Sequence, residues 1–240
     1  MISIIIPVFN QTDKIGACLD SILGQSVIAS QEKLEVVAVN DGSKDDIIPV
    51  IEKYKPLFQA AGIKFNFITQ ENRGANAARN TGARLAQGEY IIFCDADIVM
   101  KEKMLGVMSE TLKKNLKASF TYSSFLWGRK LFKSFPYSAE KLKVMPYIHT
   151  TSLIRREYFS GFDEKIKRFQ DWDLWLTMSE QGHVGVWINE ILFTVATGGK
   201  ISYWLPGFAY KLLPFLPAVK EYKLAMGIIK DKHNLNVYKY

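Results

Sequence analysis

The sequence predicts an α/β domain built on a mixed, mostly parallel sheet flanked by helices. Three observations carry that expectation. Short apolar runs alternate with amphipathic helical stretches over about 100 residues, the pattern of successive βα units. One helical stretch is rich in small residues (Ala75, Ala77, Ala78, Gly82, Ala83) and suits close packing on a sheet. Polar clusters at Phe9-Asn10, Asn40-Asp41 and Asp95-Asp97 each follow a strand, and parallel sheets bind ligands beyond the carboxyl ends of their strands.

The elements follow in order. Residues 3–7 form an apolar run that ends at Pro7, as a buried strand leaving a sheet does. Thr12 is a candidate cap for a helix through Leu23, with Ile15, Leu19, Ile22 and Leu23 on one face and Gly24 ending it. A second strand covers residues 34–40; a turn at Asp41-Gly42-Ser43 leads into a helix over 45–61. A third strand at 65–69, the small-residue helix at 74–86 and a fourth strand at 90–94 complete the regular half. Beyond it the pattern predicts a helix at 104–116, strands at 119–125 and 148–154, and a helix at 171–181 stopped by Gly182. The basic, aromatic stretch 127–146 gives no assignable pattern. Residues 1–200 are expected to form the main domain and 201–240 a helical, amphipathic appendage.

Bulk properties set the class. At 240 residues, 48% hydrophobic and 23% charged, the chain can bury a core and is not disordered by composition. Cys18 and Cys94 read as reduced packing residues in a cytosolic setting. The start lacks the basic region of a signal peptide, and no apolar run reaches spanning length. The expected location is the cytoplasm, with peripheral attachment at the cytoplasmic membrane face. The net charge of +7 concentrates in the tail, where seven lysines from Lys200 onward face only Glu221 and Asp231.

Asp95-Ala96-Asp97, closing the run Tyr90-Ile91-Ile92-Phe93-Cys94, offers two hard oxygen ligands at a sheet edge. Such ligands suit Mg²⁺ or Mn²⁺ shared with substrate phosphates; the ordinary alternative is a pair of turn carboxylates. Asp97, further out, is the better direct ligand, with Asp95 on a ribose hydroxyl or a ligand water. Asp41 fits a helix cap, an Asx-turn with Gly42, or a hydrogen bond to a base or ribose. Pro7-Val8-Phe9-Asn10 fits a plain strand exit or a stacking face for a base. Asn72-Arg73-Gly74 precedes a helix N-terminus, which favours anions; Arg73, Arg79 and Asn80 are candidates for a diphosphate or sugar, against the usual surface arginine. Asp171, at a helix start beside Phe169, Trp172 and Trp175, fits a cap or a general base tuned by burial. His149, His183 and His233 show no metal-ligand spacing, so each reads as an ordinary core or surface histidine. No Ser-His-Asp set, phosphate-binding Walker loop or zinc-type cysteine cluster is present.

Together these motifs resemble the large family-two glycosyltransferases of the GT-A fold, a Rossmann-like architecture. The likeness runs over about residues 3–182, through Ser3 to Asn10, Val37-Ala38-Val39-Asn40-Asp41-Gly42-Ser43, Asn72-Arg73-Gly74 and Ala78-Arg79-Asn80-Thr81-Gly82. It continues through Gly88-Glu89-Tyr90, Asp95-Ala96-Asp97, Arg155-Arg156, Gly161-Phe162-Asp163 and Gln170 to Trp175. The resemblance implies transfer of a sugar, with inversion, from a nucleotide-diphosphate donor, UDP-sugars favoured, in polysaccharide or glycolipid synthesis. It implies Pro7, Phe9, Asn10 and Asp41 at the base and ribose, and Asp97 with Asp95 at a divalent metal. It implies Asp171 as catalytic base. Three departures stand out: Asn40 replaces a common aspartate, Gln170 replaces a frequent glutamate, and no metal-site histidine follows the base.

Residues 201–220 interleave Tyr203, Trp204, Phe208, Tyr210 and Phe215 with lysines. They read either as a cap on the core or as an interfacial segment on anionic lipid, which would suit a lipid-linked acceptor; the expected acceptor is a carbohydrate or a lipid-linked one. Nucleic acid is not an expected partner. The rival classes are a sugar nucleotidyltransferase, which needs a Gly- and Arg-containing loop that residues 7–12 lack, and a noncatalytic nucleotide-sugar-binding module.

Overall fold

The computed structural model describes residues 1–29, 32–196 and 215–235. Strands β1 (Ile2–Val8), β2 (Leu34–Asn40), β3 (Lys64–Thr69) and β4 (Tyr90–Phe93) alternate with helices α1 (Thr12–Leu23), α2 (Ile48–Ala60) and α3 (Ala75–Leu85). The second half adds β5 (Ile98–Met100), α4 (Met104–Lys114), β6 (Phe120–Trp127), β7 (Lys130–Phe132) and α5 (Ala139–Val144). It continues with β8 (Leu153–Arg155), α6 (Gln170–Glu180), β9 (Gly185–Val195) and α7 (Pro217–Lys232). Among the described residues the strands form one mixed sheet in the order β3-β2-β1-β4-β8-β6-β9-β5, with β7 added to β6.

The four N-terminal strands are parallel, and their register aligns the exits. Val8 pairs with Asn40, and Ile5 with Phe93, so Phe9-Asn10, Asp41 and Asp95 leave the sheet at one edge. β1 is buried on both faces. Ile4 and Ile6 pack with Ile15, Leu19 and Phe58 under α1 and α2, while Ile5 packs with the opposite layer of Phe93, Phe120, Trp172 and Trp175. The expected close approach of the small-residue helix is present: a Cβ on Gly82 would overlap the Ile5 side chain. At the far edge, Ser3 Oγ and the buried Glu35 both accept the Gly88 N–H, so the Gly88-Glu89-Tyr90 motif clasps the sheet from below.

Several sequence expectations need correction. Thr12 is the first helical residue and not the cap; its N–H bonds Asp45 Oδ2 at 2.9 Å from the neighbouring loop. The helix expected from residue 45 begins at Ile48 with Pro49 behind it, because Asp45 serves α1. The unassigned stretch contains β7 and α5, and the strand expected over 148–154 is confined to Leu153–Arg155. β9 has no counterpart in the sequence reading. Its pairing with β6 jumps from Ser123↔Ile188 to Ser124↔Ile191, and the intervening Asn189-Glu190 breaks the alternation that marks a strand. The tail segment expected to meet lipid falls outside the described residues as far as 214.

No described helix is long and apolar enough to cross a membrane. α7 buries Val219 and Ile229, and its Tyr222 ring meets Phe169 edge-on at 5.1 Å.

Candidate active site

β4 ends at Phe93, and Asp95 to Ile98 form a tight turn closed by Ile98 N–H on Asp95 C=O at 2.9 Å. Asp95 therefore opens a turn and Asp97 lies within it. Asp97 is partly buried, and burial together with the charge of Asp95 pushes its pKa up to about 6. The charge of Asp95 acts on Asp97, so the two carboxyls belong to one electrostatic neighbourhood.

Arg79, from α3, is 5% exposed and is the hub of this region. Its Nη2 donates to both Asp95 oxygens, at 2.8 and 3.0 Å. Its Nη1 donates to Asn76 Oδ1 and to Gln170 Oε1, at 3.1 and 3.0 Å. The guanidinium lies over the Phe162 ring at 5.3 Å. Only Nε lacks a partner among the described residues. The departure at Gln170 thus has a local consequence: a neutral oxygen, one residue before Asp171, takes the arginine.

Asp171 lies in the first turn of α6, which Phe169 opens in a left-handed conformation, φ 60°. Its Oδ1 accepts the Trp172 N–H at 2.8 Å. Burial raises its pKa against the pull of that bond and of Arg79, while Asp95 raises it further. Asp97, Asp171 and His149 all lie within electrostatic reach of the Arg79–Asp95 pair. Asp171 and His149 also line one cavity of about 600 Å³.

No spacing signal marks His149 in the sequence. In the fold its Nδ1 accepts the Thr151 N–H at 3.0 Å, which leaves the ring proton on Nε2. Burial, aided by Arg79 and opposed by Asp95, lowers its pKa to about 4, so it is neutral at ordinary pH. It lines the same cavity as Asp171 as a neutral imidazole.

The nucleotide candidates occupy the other end of the same edge. Asp41 is buried but does not cap the helix that follows it. Its carboxylate instead accepts the Arg73 and Gly74 N–H groups, at 3.0 and 2.7 Å, and Gln70 Nε2 at 2.7 Å. It holds the start of α3, with Gly74 at φ 96° to make the turn. Asn40 Oδ1 takes the Ser43 N–H, and Asn10 Oδ1 takes the Lys44 N–H, so the first two strand exits are stitched together. Pro7 is partly buried on β1, and Phe9 presents a ring that is 42% exposed. Arg73 is more than half exposed and pairs with Glu164 at 2.7 Å.

A second polar cluster, also without a sequence signal, sits behind α6. Asp173, 3% exposed, accepts from His233 Nε2 at 2.9 Å and from Lys232. His233 Nδ1 reaches Glu180 at 2.8 Å, and Lys232 also reaches Asp163. Burial alone would lower the His233 pKa, but its two carboxylate partners outweigh that and raise it.

Among the described residues no three carboxylate, histidine or cysteine groups converge as a protein-only metal cage. Two hard oxygen donors with their remaining positions open still fit Mg²⁺ or Mn²⁺, which commonly takes one or two carboxylates plus phosphate oxygens and waters.

Comparison with known proteins agrees with this architecture. Residues 3–163 match the model of the family described as "Glycosyl transferase family 2". The chain is 28% identical over 195 residues to a chondroitin synthase of Escherichia coli, covering 76% of this chain and 27% of that protein. It is 36% identical over 96 residues to a poly(ribitol-phosphate) beta-glucosyltransferase of Bacillus spizizenii, covering 40% and 14%. The chain therefore spans less than a third of the curated relatives it matches. Among solved structures, S. aureus TarS 1-349 in complex with UDP superposes with a TM-score of 0.69 at 18% identity, over 82% of this chain and 60% of that one. A mannosyltransferase of Pyrobaculum calidifontis in complex with GDP-Man and Mn²⁺ gives 0.66 at 20%, over 83% and 57%. At these identities the structures speak for a shared GT-A fold alone. With two thirds of its length under the family model, the chain belongs to glycosyl transferase family 2.

Proposed function

We propose that the protein is a metal-dependent, inverting glycosyltransferase. It moves a sugar from a nucleotide-diphosphate donor, UDP-sugars favoured, to an acceptor hydroxyl in polysaccharide or glycolipid synthesis. One observation carries the reading: Asp97 and Asp171, on different elements, both sense the single Arg79–Asp95 pair at the carboxyl edge of the parallel strands. Solved relatives by fold carry UDP, UDP-GlcNAc, or GDP-Man with Mn²⁺.

In this reading Phe9 stacks on the base, with Pro7, Asn10 and Asp41 shaping the edge for base and ribose. Arg73 stands at the α3 N-terminus, within the region that favours the diphosphate. Asp97 is the direct ligand for Mg²⁺ or Mn²⁺ and Asp95 assists. The ion, when bound, neutralises charge that develops on the departing nucleoside diphosphate. Arg79 acts on the donor through Asp95, which it holds in place. Asp171 accepts the proton of the acceptor hydroxyl as that oxygen attacks the far face of the sugar. Its raised pKa makes it a better proton acceptor than an ordinary carboxylate. Attack from the face opposite the leaving group inverts the anomeric centre in one displacement.

Residues 1–200 are proposed as the catalytic domain and 201–240 as its appendage. α7 is read as a cap on the core, since it reaches α6 through Lys232 and His233. The basic, aromatic segment 201–220 remains proposed to contact a membrane surface at the cytoplasmic face, which equal liposome binding with and without residues 201–240 would exclude. The test of function is nucleoside diphosphate release from UDP-, GDP- and dTDP-sugars with and without Mn²⁺. Pyrophosphate exchange would indicate a nucleotidyltransferase, and binding without turnover a noncatalytic module.

A further inference from the structure

The C-terminal helix α7 meets α6 on both sides of Asp171. α6 opens at Phe169, whose backbone is left-handed, φ 60° and ψ 34°. A bulky aromatic residue rarely adopts that conformation, and it persists only where the surroundings enforce it. Two rings close on Phe169. Trp172, from the same turn, meets it edge-on at 5.8 Å, and Tyr222 of α7 meets it edge-on at 5.1 Å. Arg168 lies over both the Phe169 and the Tyr222 ring, at 6.0 and 5.2 Å.

The second anchor is Asp173, one turn further along. Its buried carboxylate takes His233 Nε2 at 2.9 Å and Lys232 Nζ at 3.0 Å, both at the end of α7. His233 Nδ1 also reaches Glu180 at 2.8 Å, and Met226, Ile229 and Leu235 join Trp172 and Trp175 in one apolar cluster. The Asp173 N–H donates to Phe169 C=O at 2.9 Å, so the two anchors close a single turn with Asp171 inside it.

We infer that α7 positions Asp171: Tyr222, through Phe169, and His233, through Asp173, hold the turn that carries this carboxylate. The helix thus does more than cover the core. The coupling rests on these contacts alone; calling Asp171 the base that is aligned rests on the glycosyltransferase reading.

The Trp172 amide reports on that turn directly. Amides in the first turn of a helix lack intrahelical partners, and this one is bonded by Asp171 Oδ1 at 2.8 Å. Its exchange with deuterium, followed by NMR on protein carrying ¹⁵N-tryptophan, needs neither donor nor acceptor. Tyr222→Leu is expected to speed that exchange roughly tenfold, as a locally opened turn does. Tyr222→Phe, which keeps the ring, is expected to restore the native rate. His233→Gln is expected to speed it about threefold with the ring contact intact, which tests the second anchor independently should Tyr222→Leu not fold. Leu224→Ala, at a position 69% exposed on α7, is expected to change nothing. UDP release from UDP-GlcNAc, with Mn²⁺ present and water as acceptor, supplies the activity readout. In Tyr222→Leu its kcat should fall about tenfold with KM within about twofold, because a misplaced base costs rate and leaves donor binding intact. Native exchange rates in both Tyr222→Leu and His233→Gln, Tyr222→Phe exchanging as fast as Tyr222→Leu, or a loss confined to KM would overturn the proposal. Failure of the native protein to turn over any UDP-, GDP- or dTDP-sugar defeats the glycosyltransferase reading, while amide exchange still decides the coupling.

Discussion

Replacing Arg79 by lysine keeps the charge and removes the fork. In the native structure the guanidinium makes two bonds to Asp95 and one each to Asn76 and Gln170. An ammonium on a shorter reach can retain one of the Asp95 bonds and leaves the two amide oxygens without their donor. A charge-assisted bond contributes about 1.5–3 kcal/mol and a neutral one about 1 kcal/mol. Asp95 is 32% exposed, so solvent screening reduces its share. Arg79→Lys should therefore destabilise by about 2–4 kcal/mol, or roughly 5–15 °C in Tm for a domain of this size. Arg79→Met should be worse, because Asp97 and Asp171 both lose a positive neighbour that holds their pKa values down. Scanning calorimetry measures the stability, and donor turnover measures the effect on chemistry. A lysine variant melting within about 1 °C of the native protein would show that the hub holds nothing together.

Asp171→Asn should keep UDP binding but lower transfer by about 10²–10⁴-fold, the usual contribution of a general base. Since burial raises the Asp171 pKa, the ionised base is present only above that raised value, and transfer should fall away as pH drops through it, above the ordinary 3.8. The same sign means that ionised Asp171 works against folding at neutral pH, so the asparagine variant should melt no lower than the native protein. Asp97→Asn should weaken UDP affinity in Mn²⁺ and leave it unchanged in a chelator, as calorimetric titration would read. His233 has a raised pKa, so its contribution is fully present below the ordinary 6.5 and lost as pH rises through the folded value. The Tm deficit of His233→Gln should accordingly be largest near pH 6 and shrink in alkali; a constant deficit would place its role in packing instead. Gly82→Val should destabilise by about 1–3 kcal/mol through overpacking against Ile5, read from urea midpoints.

The chain alone specified the regular half of the molecule. Apolar runs at 34–40 and 90–94, the α1 face of Ile15, Leu19 and Ile22, and the small residues of α3 are local patterns, and local periodicity encodes them. It also pointed to Asp41, Asp95, Asp97 and Asp171, because a polar group at a strand or helix end is visible in one dimension. Tertiary structure decided their partners. Asp41 bonds the start of α3 rather than α2, because β2 and β3 are adjacent and place Arg73 and Gly74 beside it. Arg79 reached Asp95 and Gln170, and His149 came to line one cavity with Asp171, across separations of 16, 91 and 22 residues that no window spans. The Asp173–His233 pair was equally hidden, since its members belong to α6 and to the chain after α7. β9 escaped for a different reason: the Asn189-Glu190 bulge erases the period-two signal, and only pairing with β6 recovers the strand. Hydrogen bonds and charges act over a few ångströms in space, and folding alone determines which distant residues share that space.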